Sequence, residues 1–174
     1  MLNAACIELP AIGREEPEDV VMTDNAQSAE TTNIILVRGA ALWILVALVL
    51  AWCLVSLKME APLVSAVFPG KFSRVLQAHI DFLLMSALLL GFYGTRIPFA
   101  WPVRWAMVVG AFTNSSLFVL QAAFPILDGP PAEGWGPNLF RLYLMASIVT
   151  TTLGFAGACL TVLRFRPNPS RLDV

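Results

Sequence analysis

Residues 34–57 read IILVRGAALWILVALVLAWCLVSL, and Arg38 is the only charged side chain in this apolar run. A helix that crosses the hydrocarbon core of a bilayer, which is roughly 30 Å thick, needs about 20 apolar residues. The run is long enough, and Arg38 lies near its beginning, from where the long side chain can reach the interface. The stretch therefore predicts a membrane-spanning helix.

Three further runs of the same kind follow, at residues 75–93, 101–124 and 139–163, and each ends near Pro or Gly residues. The whole chain is 57% hydrophobic and 13% charged, whereas globular proteins carry about 25% charged residues. This composition excludes an ordinary soluble enzyme and a disordered chain. The sequence predicts an all-α integral membrane protein, a four-helix bundle over residues 34–165.

The charge is distributed unevenly along the chain. Residues 1–33 contain seven acidic residues and one basic residue, whereas the remainder has a net charge of +5. An acidic, Pro-containing segment without an apolar run predicts a disordered N-terminal tail and is not a signal peptide. Residues 166–174 form a short basic C-terminal tail. The net charge of −1 leaves no overall basic field that would hold nucleic acid.

An even number of spans places both termini on one side of the membrane. Seven basic residues fall on the side of the termini and four on the other side. Because cytoplasmic loops carry an excess of Lys and Arg, we expect a multi-pass protein of the inner or plasma membrane with both termini in the cytoplasm.

Polar residues inside the predicted spans are costly and usually have a role. The second span contains His79 and Asp81, which lie about 200° apart around a helix and so cannot form an acid–base pair on one surface. We expect Asp81 to pair with Arg141 and join the second span to the fourth. Asn114 in the third span shares a face with small residues, which suits either interhelical hydrogen bonding or a donor in a ligand pocket.

His79 is the only histidine of the chain and has two interpretations. A neutral imidazole can hydrogen-bond a carbonyl on a neighbouring helix, or it can be an axial haem ligand that leaves the sixth position open. The residues alone favour the packing interpretation. Cys6, Cys53 and Cys159 lie too far apart in sequence to indicate a disulfide framework or a zinc site.

The fourth span is rich in small residues, with Ser147/Thr151 and Gly154/Ala158 four positions apart. Such pairs let helix backbones approach closely, so we expect this helix to pack tightly, either within the chain or between chains. The chain contains no GxSxG, HExxH or Gly-rich phosphate-binding motif.

Three features in chain order resemble the small membrane epoxide isomerases typified by styrene oxide isomerase. They are Ala78–His79 early in the second span, Asn114 in a small-residue segment of the third, and Gly136–Pro137–Asn138 with Phe140 before the fourth. The resemblance covers residues 34–165 in architecture and only these positions in detail. Hydroxylaminobenzene mutases are similar, with four spans and a histidine followed by an acidic residue in the second span.

The resemblance implies a homotrimer with haem b between subunits, ligated through its iron by His79. Ferric haem would act as a Lewis acid on the oxygen of a hydrophobic epoxide and give a carbonyl product, with Asn114 as a catalytic donor in the pocket. The family has an asparagine at the position of Met85 and a tyrosine at that of Phe118. These two residues would therefore line the substrate pocket with apolar side chains.

Two other functions remain open on the sequence. The first is a rearrangement like that of the hydroxylaminobenzene mutases. The second is a non-enzymatic membrane partner or scaffold subunit whose acidic tail recruits a soluble protein. A secondary transporter is less favoured, because the spans show neither broken helices nor internal symmetry.

Overall fold

The structure is a computed structural model that describes the backbone of residues 18–129 and 134–165, with side chains from Asn33 onward. The described residues form five α-helices and a short 3-10 turn at Pro125–Leu127, without β-strands. The helices are α1 (Glu18–Lys58), α2 (Pro62–Val67), α3 (Phe72–Gly94), α4 (Trp101–Ala123) and α5 (Trp135–Arg164).

Four of these helices are long and apolar enough to cross a membrane, namely residues 33–58 of α1 together with α3, α4 and α5. This confirms the predicted all-α four-helix bundle and fits a multi-pass integral membrane protein. The boundaries differ from the predicted ones by a few residues. The short helix α2 was not predicted, and Pro62 at its first position suits a helix start because the ring has no N–H to lose.

The helix α1 begins at Glu18, well before the predicted start of the first span. The backbone of residues 18–33 is therefore helical, which differs from the disordered tail expected there. A physical reason lies in the sequence, because no Pro or Gly interrupts residues 18–33. Residues 1–17 of the predicted acidic tail and the C-terminal tail at 166–174 lie outside the described residues.

The bundle has two ends that the connections define. At one end, which we call the terminal end, Asn33 Nδ2 donates to Ile97 O at 2.7 Å, and Phe99 N donates to Asn33 Oδ1 at 3.4 Å. The α3–α4 connection is thereby joined to the beginning of the first span. At the other end, the distal end, Gly70 N donates to Ala122 O at 2.9 Å. This bond joins the connection before α3 to the last turn of α4.

The core consists of two apolar layers, one toward each end of the bundle. The layer near the terminal end includes Leu36, Leu89 and Met107, and the layer near the distal end includes Leu50 and Phe82. Trp43 packs against both layers. Its ring stacks on Phe112 with centroids 4.6 Å apart, and its Nε1 donates to Val108 O.

The helices α4 and α5 approach each other most closely at glycines. A Cβ at Gly154 would lie 2.6 Å from Met107 N, and one at Gly110 would lie 2.7 Å from Thr151 Cα. Three hydroxyl contacts follow the same seam, from Thr151 Oγ1 to Gly110 O, from Ser147 Oγ to Thr113 Oγ1 and between Tyr143 and Ser116. The predicted tight packing of the fourth span is therefore confirmed, and it occurs within the chain.

Candidate functional site

His79 lies at the seam between α3 and α1. Its Nδ1 is 2.9 Å from Ala47 O, so the imidazole makes the interhelical bond to a carbonyl that the packing interpretation predicts. A carbonyl oxygen can only accept, which places a proton on Nδ1 and leaves the lone pair of a neutral ring on Nε2. The side chain is half-buried, and Nε2 makes no hydrogen bond with any residue that the structure describes.

This arrangement fits an axial ligand of haem iron. Histidines that bind metals generally donate their other ring N–H to a carbonyl or a carboxylate, which fixes both the tautomer and the ring orientation. A single histidine nitrogen is enough to bind the iron of haem. Other metal sites commonly use clusters of three or more His, Cys, Asp or Glu residues. No such cluster occurs within residues 33–129 and 134–165.

Asp81 lies near the middle of α3 and faces α4. Its Oδ2 accepts hydrogen bonds from Asn114 Nδ2 at 2.9 Å and from Ser115 Oγ at 2.7 Å. The predicted ion pair with Arg141 is wrong, because Arg141 is exposed and contacts Asn138 instead. The neutral donors Asn114 and Ser115 lie on the adjacent helix and satisfy the carboxyl group. Pairing with Arg141 would instead require a charged side chain to move from the interface into the bilayer, which costs more desolvation free energy.

The predicted site residues do not gather in one place within a single chain. His79 bonds α1, whereas Asn114 bonds Asp81 on the other side of α3. Met85 packs against the core layer near the terminal end, and Phe118 packs against the layer near the distal end. Asp81 accepts one amide hydrogen of Asn114 and thereby fixes the orientation of the amide group. The amide nitrogen carries a second hydrogen that Asp81 does not accept.

The Gly136–Pro137–Asn138 motif forms the first turn of α5. The helix begins at Trp135, after Gly134 with a φ of 139°, a conformation that favours glycine. Proline is tolerated in the first turn because its missing N–H would have no partner inside the helix. The motif thus sets where the fourth span begins.

A cavity of about 360 Å³ opens between α1, α4 and α5, with Phe82 of α3 at its inner wall. Its other walls include Val46, Leu50, Phe112, Val119 and Tyr143. The cavity is open because α1 packs on α3 and α4 but scarcely on α5 among the described residues. Two of the residues that line it, Ser116 and Tyr143, carry hydroxyl groups, and their oxygens are 2.6 Å apart.

The sequence interpretation missed this cavity and its hydroxyl pair. A signal was present, because Tyr143, Ser147 and Thr151 recur every four residues and so form one polar stripe on α5. The predicted pocket residues, Met85 and Phe118, are not among the residues that line this cavity.

A charged cluster joins the two connections at the distal end. Asp128 accepts a hydrogen bond from Arg74 Nε at 2.6 Å, and Lys71 Nζ lies 2.8 Å from its other oxygen. These two cations hold the pKa of Asp128 below its ordinary value, Lys71 having the larger effect. The ion pairs of the described residues are found at the distal end, where Arg74 lies in the first turn of α3 and Lys71 and Asp128 lie in the connections.

Comparison of this chain with protein-family models, with characterised proteins and with solved structures finds no match.

Proposed function

We propose that this multi-pass membrane protein is a haem-dependent isomerase that opens a hydrophobic epoxide and gives a carbonyl product. The observation that supports the proposal is the orientation of His79, whose Nδ1 is bonded to Ala47 O at 2.9 Å while Nε2 makes no hydrogen bond with any described residue. An oriented imidazole with an unengaged nitrogen inside a membrane span is what an axial ligand requires. Bound ferric haem would supply a Lewis acid that polarises the epoxide oxygen.

The residues of the chain would bind and orient the reactants. His79 would hold haem b at the outer seam of α1 and α3, where neighbouring side chains such as Ile80 and Leu83 are exposed. A seam on the outside of one chain suits a haem shared between subunits of a homotrimer. Because His79 and Asn114 lie on different sides of α3, the Asn114 of a neighbouring subunit, held through its Asp81, would offer its second N–H to a substrate oxygen at this haem. Apolar side chains around the site would exclude water from the opened epoxide.

The test is the absorption spectrum of the purified protein and of two variants at His79. His79→Ala removes both the bond to Ala47 and the ligand. His79→Asn keeps an amide N–H near the position of Nδ1 but has no nitrogen in place of Nε2, so it separates packing from ligation. We expect a Soret band in the wild type that is lost in both variants, and recovery of the band in His79→Ala on addition of imidazole.

A matched control is Gln77→Ala, an exposed polar residue two positions earlier on the same helix, which should leave the spectrum unchanged. An epoxide screen follows only for protein that has haem, with carbonyl formation as the readout. A wild type that lacks a Soret band and contains no extractable haem would refute the proposal.

The same hydrogen bond also favours a second candidate, in which His79 only packs α3 on α1 and the chain is a non-enzymatic membrane partner. This candidate predicts no haem, a thermal stability that falls in His79→Ala but is retained in His79→Asn, and a soluble partner lost when residues 1–33 are deleted.

A further inference from the structure

We infer that the cavity between α1, α4 and α5 is a binding site for a membrane-dissolved aromatic molecule that carries a single hydroxyl group. The site is distinct from His79, which lies at the other seam of α1. Its volume of about 360 Å³ is within the range of about 300–1,000 Å³ that is typical of small-molecule sites.

The shape of the cavity suits a flat apolar ring. Phe82 and Phe112 contribute to its walls and lie tilted to each other with centroids 6.1 Å apart. The ring of Phe112 also stacks on Trp43. This contact fixes the orientation of the Phe112 ring without a ligand. Aromatic walls favour an aromatic guest through offset or edge contacts beyond simple burial of area.

The polar end of the cavity determines which substituent the guest would carry. Ser116 Oγ and Tyr143 Oη are 2.6 Å apart and either can donate to the other, while Thr113 O lies 2.9 Å from Ser116 Oγ and 3.5 Å from Tyr143 Oη. A hydroxyl oxygen has two lone pairs, so with either direction at least one lone pair of Tyr143 stays unused. The phenolic oxygen of Tyr143 therefore keeps unused acceptor capacity beside an apolar volume. A hydroxyl on the guest would donate to that oxygen, whereas a pure hydrocarbon would leave this acceptor capacity unused.

The route of entry follows from the packing of the bundle. Because α1 and α5 scarcely touch among the described residues, the cavity opens sideways rather than through either end. A guest already dissolved in the bilayer could enter between these helices without crossing an aqueous phase. Val49, which is 62% exposed, lies on the cavity and can be enlarged without disturbing the core.

The probe for the test is 2-naphthol, with naphthalene as the matched compound that lacks the hydroxyl. Binding to the full-length protein in nanodiscs would be measured by fluorescence, with empty nanodiscs of the same lipid subtracted. We expect saturable binding of 2-naphthol. Tyr143→Phe should weaken it about two- to tenfold, as expected for one neutral hydrogen bond, and leave naphthalene binding unchanged.

A second pair of variants keeps the inference testable if Tyr143→Phe affects folding. Val49→Trp should abolish binding of both probes, whereas Leu153→Trp, an exposed position on α5 outside the cavity, should not. The site does not depend on haem, so His79→Asn should bind 2-naphthol like the wild type. Any one of three results would overturn the inference: binding that does not saturate, as for a groove filled by lipid acyl chains; an equal loss of both probes in Tyr143→Phe; or no effect of Val49→Trp.

Discussion

The contact between α4 and α5 at Gly110 leads to a sharp prediction about the stability of the bundle. A Cβ added at Gly110 would lie 2.7 Å from Thr151 Cα and 2.9 Å from Thr151 N. Both are backbone atoms that cannot rotate away, so α5 must move outward to accommodate the added methyl group in Gly110→Ala. That movement would also stretch the hydrogen bond from Thr151 Oγ1 to Gly110 O, which measures 3.0 Å.

The size of the effect can be worked out from these contacts. Overpacking of a close interface costs about 1–3 kcal/mol, and an interhelical hydrogen bond in a membrane contributes about 0.6 kcal/mol. Alanine recovers about 0.8–1.0 kcal/mol over glycine through its higher helix propensity. We therefore expect Gly110→Ala to lower the free energy of unfolding by about 0.6–2.8 kcal/mol.

The assay is unfolding in mixed micelles of increasing denaturing detergent, followed by the helical circular dichroism signal. Gly91→Ala is the matched control, because a Cβ at Gly91 would meet no atom within 4 Å. This control should be neutral or slightly stabilising through helix propensity alone. Equal unfolding free energies for the two variants would show that α4 and α5 are not in close contact, and would refute the argument.

Two further predictions concern the ends of the bundle. Because its partners lower the pKa of Asp128 from its ordinary value of 3.8, the carboxylate stabilises the fold fully above that value and loses this effect as the pH falls below it. The melting temperature of Asp128→Asn should therefore lie below that of the wild type at neutral pH and approach it in acid. The control Glu60→Gln, at an exposed position, should change the melting temperature little. A difference between Asp128→Asn and the wild type that stays constant at every pH would contradict this prediction. Asn33→Ala leaves Ile97 O buried without its donor and should cost about 1–3 kcal/mol of unfolding free energy. The exposed control Asn138→Ala should cost little, and equal losses in the same detergent titration would show that the Asn33 hydrogen bonds do not stabilise the bundle.

Local composition was enough to predict the four spans and their order. Each span is a run of apolar residues whose length must match the bilayer, so residues 34–57, 75–93, 101–124 and 139–163 could be predicted without knowledge of their neighbours. The close packing of the fourth span was also local information, because Ser147/Thr151 and Gly154/Ala158 mark one face of a single helix. The start of α1 was not predicted. Residues 18–33 contain no apolar run of the kind that marks a span, and the excess of acidic residues in 1–33 predicted disorder instead.

The partners of the polar residues were decided by tertiary structure alone. Asp81 could have faced Arg141 or Asn114, and only the rotation of α3 against α4 selects Asn114 and Ser115. Likewise, Asp128 pairs with Arg74 because the α4–α5 connection meets the beginning of α3. The cavity beside Tyr143 exists because α1 and α5 diverge. Sequence periodicity identifies which residues share a face of a helix, but which faces meet depends on the packing of all four helices together.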